Sequence, residues 1–118
     1  MNKYTRNATE LLRKLVAIPS FSGEENARAD FLTEYFKAQG IDPERIGNNL
    51  VFRQPRLYAS KPTLMLNSHL DTVQPNMGYT FDPFNAPISD TRVNGLGSND
   101  AGASGVSMMQ AFLHFHEK

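Results

Sequence analysis

Residues 63–68, TLMLNS, run apolar on successive rather than alternate positions and lead directly into His69 and Asp71. A strand with one face open to water alternates apolar and polar side chains, so this run predicts a strand covered on both faces. Covering both faces takes helices on either side of a sheet, and the flanking sequence offers them. Tyr4, Ala8, Leu11, Leu12 and Leu15 recur at helical spacing, and Pro19 ends the pattern because it cannot donate into a continuing helix. This predicts a helix over 5–17. Ser22 and Glu25 then stand at capping-box spacing ahead of Ala27, Phe31, Leu32, Tyr35 and Phe36, with Gly40 as the stop. A third helix is predicted from Ser104, with Val106, Met109 and Leu113 on one side and Met108, Phe112 and Phe115 on the other. So wide an apolar spread predicts deep burial.

Residues 48–54, NNLVFRQ, read as a short strand closed by Pro55, and residues 88–95 as a hairpin or edge strand. Between the apolar run and that edge, residues 72–87 carry prolines at 75, 83 and 87 and the aromatics Tyr79, Phe81 and Phe84. They predict an ordered loop with its own packing, in which Asp82 orders the turn before Pro83. The expected fold is therefore α/β: part of a three-layer sandwich with a mixed, mostly parallel sheet flanked by helices. At 118 residues, with no repeat or linker, the chain has the size of one domain.

Twelve basic residues balance twelve acidic ones without any block of one sign, so neither a nucleic acid nor a membrane surface is expected as a partner. Cysteine is absent. That excludes disulfides and thiolate metal sites and leaves histidine and carboxylate as the strong metal ligands. No apolar run approaches the roughly 18–20 residues of a membrane span, and the first fifteen residues lack the apolar core of a secretory signal; a cytoplasmic location is the expectation.

At the carboxyl end of a central strand, where ligands bind in open α/β sheets, His69 and Asp71 would point to the same side. An imidazole there can bind a metal while the carboxylate fixes its orientation; the plain alternative is two solvated residues at a strand end. Asp100 follows a glycine-rich turn, GLGSNDAGASG, and precedes a helix, which suits either a presented carboxylate or a helix N-cap. Gly95 and Gly97 leave open a small nucleotide-binding module, although the third glycine of the dinucleotide pattern is missing. The wide apolar face of 106–115 leaves open a protein partner. His114 and His116 lie two apart on a helix and face different directions, which points to a surface or partly packed role rather than a shared metal.

Taken together, SHLDTVQP at 68–75, FDPF at 81–84, GLGSNDAGAS at 95–104 and the opening LLRKLVAIPSFSGEE resemble, in order and spacing, a family of zinc-dependent deacylases and exopeptidases. That family includes acetylornithine deacetylase, succinyl-diaminopimelate desuccinylase, aminoacylase and carboxypeptidase G. The resemblance implies that His69 is a ligand of one metal, Asp71 the catalytic-site carboxylate hydrogen-bonded to that histidine, and Asp100 the carboxylate bridging two metals. It further implies two divalent ions, zinc first and cobalt as the alternative, hydrolysis of a small-molecule N-acyl amino acid, and a homodimer for the full-length protein. The family usually has arginine between the glycines and a lysine soon after the bridging aspartate, where this chain has Leu96 and Ala101-Gly102-Ala103. That departure resembles the arginine-biosynthesis branch, whose substrates are N-acetyl- or N-succinyl-ornithine or -citrulline. The family's Glu-Glu pair, which supplies the general base and a further ligand, has no match after Asp100. Residues 1–118 are thus expected to be the amino-terminal part of a catalytic domain, inactive alone, with the rest of that domain and a dimerisation domain lying beyond it.

Overall fold

The computed structural model describes residues 1–85 and 87–118; Ala86, inside the proline-aromatic loop, lies outside the described residues. The first helix, α1, spans Lys3–Val16. Asn2 opens it: its Oδ1 accepts from the Thr5 backbone N–H at 2.9 Å, satisfying one of the free amides of the first turn. Leu11, Leu12, Leu15 and Val16 form its buried face, and the chain leaves the helix through Ile18 into Pro19.

The second helix, α2, spans Asn26–Lys37. It closes at Gly40, whose φ of +76° only glycine adopts without strain. There the Ile41 N–H bonds the Phe36 carbonyl at 3.0 Å and the Gly40 N–H bonds that of Lys37 at 3.0 Å, the paired bonds of a Schellman ending, and Ile41 folds into the core. Leu32, Phe36 and Ala29 are fully buried, whereas Ala27 faces solvent, so the inner face is rotated from the one predicted. The capping box does not form. Glu25 stands at the N-cap without a side-chain cap bond, and its Oε1 instead accepts from the Gly23 N–H at 2.7 Å.

Two short strands follow, β1 (Glu44–Ile46) and β2 (Asn49–Val51), paired antiparallel with Ile46 opposite Asn49. The two-residue turn between them places Gly47 first, at positive φ, as tight hairpins favour. The strand expected over 48–54 is thus present but shorter, and β1 gives no apolar signal because all three of its residues are exposed.

The larger correction concerns 63–68. Those residues join no sheet, and Leu64 and Met65 are 83% and 82% exposed. An apolar run encodes the wish to be covered but not the neighbour whose backbone completes a ladder, and among the described residues no segment pairs with it. Residues 88–95 likewise form no strand. The described residues therefore make a small mixed helix and strand domain with a two-stranded antiparallel sheet, and the only parallel pairing among them is the single Phe21–Thr72 bridge.

The last helix, α3, spans Ser104–His116 and lies along α1. Val106 and Leu113 are buried, but Ser107, Ala111 and Phe115 are exposed, so the helix is half-buried rather than enclosed. The core is one cluster of Leu11, Leu12, Leu15, Val16, Leu32, Phe36, Ile41, Val106 and Leu113, with Phe52 packed at a tilt on Phe36 at a 4.0 Å centroid distance. No helix among the described residues is long and apolar enough to cross a membrane.

Candidate functional site

Arg28 organises the approach to the site. Its side chain is buried, and it meets three carbonyls: Nε donates to Leu15 at 3.0 Å and Ile18 at 2.9 Å, and Nη1 donates to Leu70 at 2.8 Å. The Leu15 carbonyl also accepts from the Ile18 N–H at 3.1 Å, so the guanidinium adds a second donor there and supplies Ile18 and Leu70, and its rigid fork is what reaches several acceptors at once. Next to it, the Thr72 N–H donates to the Ser20 carbonyl at 2.8 Å, and Phe21 and Thr72 form a single parallel bridge. The turn after Pro19 is thereby laid alongside 70–72, which fixes the backbone on both sides of Asp71.

On that platform His69 lies between two carboxylates. Its Nδ1 stands 3.1 Å from Asp71 Oδ1 and 3.0 Å from the Asp71 carbonyl, and its Nε2 stands 3.0 Å from Asp100 Oδ1. Asp71 is held in turn from its other oxygen, to which Ser22 Oγ donates at 2.6 Å. Burial pulls the His69 pKa down, but the hydrogen bonds to Asp100 and Asp71 and their negative charges outweigh it, so the net shift is upward. The Ser22 hydrogen bond leads the causes that hold the Asp71 carboxyl below its ordinary value, with His69 adding to them.

Asp100 arrives from the other side of the chain. Gly97, at φ +74°, turns the backbone, and the Gly102 N–H bonds the Gly97 carbonyl at 2.9 Å, closing a tight loop around Asp100. Within it Asp100 has extended rather than helical angles, φ −105° and ψ 101°, and the Asp100–Ala101 peptide is cis. The N-cap alternative fails on this geometry: the N-cap position of α3 is Ala103, with no side-chain cap bond, and the Asp100 side chain is 88% exposed and turned to His69. A Cβ at Gly97 would meet the Thr72 methyl, and one at Gly95 would collide with Val16, so both serve protein packing.

Two carboxylates on one imidazole leave few electrostatic solutions. With a proton on Nδ1 facing Asp71, the Nε2 lone pair confronts the Asp100 carboxylate, and a positive charge is needed there: a second proton on the ring or a cation shared between them. The donor pair fits a cation. A tetrahedral ion with bonds of about 2.0–2.1 Å holds two ligand atoms roughly 3.3 Å apart, close to the separation present. The set is incomplete, since among the described residues no three His, Cys, Asp or Glu side chains group to hold a metal.

The structure brings His69, Asp71 and Asp100 together and keeps the other candidates apart from them. His114 packs edge-on to Tyr4 at 5.0 Å, and His116 stacks on Phe112 at 5.9 Å, so both are partly packed on α3. Asp82 Oδ1 accepts from the Phe84 N–H at 2.9 Å and orders its turn as expected. Phe84 packs on Phe21 and Tyr79 on Phe81, which gives the loop its own packing. Sequence reasoning does not find Ser22 or Arg28. Local spacing makes Ser22 a helix cap, and nothing in the spacing singles out Arg28.

The chain matches no family model. It is similar to curated proteins over most of its own length. It is 34% identical to a probable carboxypeptidase of Emericella nidulans, an alignment covering 87% of this chain and 26% of that protein. It is 32% identical to a succinyl-diaminopimelate desuccinylase of Wolinella succinogenes over 88% of this chain and 28% of the other. With a LysW-lysine hydrolase of Deinococcus radiodurans the identity is 36%, over 82% of this chain and 25% of the other. The chain spans about a quarter of the length of these relatives.

Proposed function

These relatives support membership of a deacylase and peptidase family of hydrolases, and from that premise we propose that residues 1–118 carry part of the active site of a two-metal amidohydrolase. In this reading His69 is a ligand of one ion, Asp100 bridges the pair, and Asp71 orients His69. The general base and the remaining ligands come from outside these residues, since a catalytic zinc takes about three protein ligands and this chain offers two. The substrate is an N-acyl amino acid of the N-acetyl- or N-succinyl-ornithine or -citrulline type, the working ion is zinc or cobalt, and the whole protein is a cytoplasmic homodimer.

The observation that carries the reading is the bracketed imidazole, 3.1 Å from Asp71 and 3.0 Å from Asp100. Asp71 accepts the Nδ1 proton, which selects the tautomer whose Nε2 lone pair faces outward toward Asp100. Asp100, mostly exposed, keeps a second oxygen free for another partner. A pair of divalent ions, when bound, supplies the charge that polarises an amide carbonyl and makes water acidic enough to attack it. A lone surface His–Asp pair would not require the second carboxylate.

The test is metal content and hydrolysis by the whole protein. We expect about two divalent ions per chain, and release of acetate or succinate from the N-acyl ornithines. His69→Ala and Asp100→Ala should each lose more than the roughly 10- to 100-fold typical of outer-shell changes. Full activity in both variants would reject the reading.

A further inference from the structure

We infer that Ser22 is a positioning residue for the candidate site: by holding one oxygen of Asp71, it turns the other toward the His69 ring. A carboxylate at a chain end rotates freely about its last bond, and Asp71 is more than a third exposed, so packing alone does not fix its plane. A hydrogen bond on one oxygen and the His69 ring against the other do fix it. Ser22 Oγ lies 2.6 Å from Oδ2 and His69 Nδ1 lies 3.1 Å from Oδ1.

Ser22 is itself held from behind. The turn that carries it is closed by Glu25, whose Oε1 takes the Gly23 N–H at 2.7 Å and whose Oε2 takes Asn48 Nδ2 at 3.1 Å from the β1–β2 turn. The Glu24 N–H bonds the Phe21 carbonyl at 2.7 Å across the same turn, and the Phe21–Thr72 bridge sets it beside Asp71. Glu25, placed by sequence as half of a helix cap, thus braces the serine, and the serine serves the carboxylate instead of the helix. Reaching 49 residues along the chain, the Ser22–Asp71 bond joins two segments that the backbone bridge has already docked, so docking does not depend on it.

This inference rests on the reading of His69 as a ligand and Asp71 as its orienting partner. The experiment compares Ser22→Ala, Ser22→Thr and His69→Ala in the whole protein by steady-state kinetics on an N-acetylated ornithine. Thermal unfolding and the imidazole nitrogen spectrum of the metal-free protein are recorded alongside. Ser22→Ala is expected to lower kcat roughly tenfold with KM and melting temperature little changed, as outer-shell partners of ligands do, and to shift the His69 nitrogen signals; Ser22→Thr, which keeps the hydroxyl, is expected to restore both. Unchanged kcat and unchanged nitrogen signals in Ser22→Ala, with His69→Ala inactive, would overturn the positioning role alone. If His69→Ala stays fully active, the site reading itself fails, and the nitrogen signals still report whether Ser22 sets the His69–Asp71 pair.

Discussion

Arg28 Nη1 donates to the Leu70 carbonyl at 2.8 Å while Nε of the same buried guanidinium serves Leu15 and Ile18. Removing the side chain therefore strips the Ile18 and Leu70 carbonyls of their donor, while Leu15 keeps the Ile18 N–H at 3.1 Å. Each buried acceptor left unpaired costs about 1–3 kcal/mol, so with two of them Arg28→Ala is expected to destabilise the fold by about 2 kcal/mol or more. Burial lowers the Arg28 pKa, but a guanidinium stays charged across the working range, so the loss should be nearly independent of pH. Denaturant unfolding checks it. Arg28→Lys should recover only part of the loss, because one ammonium cannot reproduce the fork.

Much of the helical framework is legible in the sequence, since helices announce themselves locally. The α1 stripe of Leu11, Leu12 and Leu15, the stop at Pro19 and the turn at Gly40 all depend on neighbours within a few residues. Sheet partners are not local, and that is why 63–68 misleads: Leu64 and Met65 are apolar yet exposed. For the site, His69 and Asp71 are two residues apart and can be paired from spacing, whereas Asp100 lies 31 residues on, and local spacing leaves it as a possible cap. Ser22 escapes sequence reasoning for a physical reason. The hydroxyl that caps a helix is equally able to bond a distant carboxylate, and only tertiary structure decides which acceptor comes within reach.

The centre of the core should be far less tolerant than its edge. Phe36 is fully buried and packs at a tilt on Phe52, with Tyr35 edge-on at 5.5 Å. Phe36→Ala is expected to cost about 3–5 kcal/mol, a large share of the roughly 5–15 kcal/mol that holds an ordinary domain folded. Phe31 lies on the partly buried margin of the same helix, so Phe31→Ala should cost clearly less. Thermal melts of the two variants side by side give the comparison.

Glu117 ties the end of α3 to the start of α1, accepting from Lys3 Nζ at 3.1 Å and from the Tyr4 hydroxyl at 3.0 Å. The Lys3 hydrogen bond is the main cause of a Glu117 pKa below its usual 4.5, followed by that of Tyr4. A carboxyl depressed on folding binds fewer protons folded than unfolded, so its contribution is complete above the unfolded value and fades as pH falls through the folded one. Lys3 is raised above 10.5, first by the Glu117 hydrogen bond and then by its charge, so its share is complete below that value and is lost as pH rises through the folded one. Lys3 and Glu117 are both exposed, and the effect should shrink with salt. Carbon NMR of the Glu117 carboxyl should show the low titration, and Lys3→Ala should return it toward its usual value.

Gly102 is where packing and the candidate site meet. A Cβ added there would stand 2.5 Å from the Gly97 carbonyl oxygen and 2.7 Å from Leu12 Cδ1. The leucine methyl can shift, but the carbonyl belongs to the turn that the Gly102 N–H itself closes at 2.9 Å, so relief must come from moving the backbone. Overpacking of this kind costs about 1–3 kcal/mol. The displaced segment is the loop that carries Asp100, so Gly102→Ala is expected to lower the melting temperature and also to break the 3.0 Å contact between Asp100 and His69. Gly78→Ala is the control: its Cβ would meet only the Asn76 amide oxygen at 3.1 Å, in an exposed turn away from Asp100. The His69 imidazole spectrum should shift in the first variant and stay in place in the second. A Gly102→Ala protein with an unchanged His69 signal would mean that the loop relaxes without moving the carboxylate.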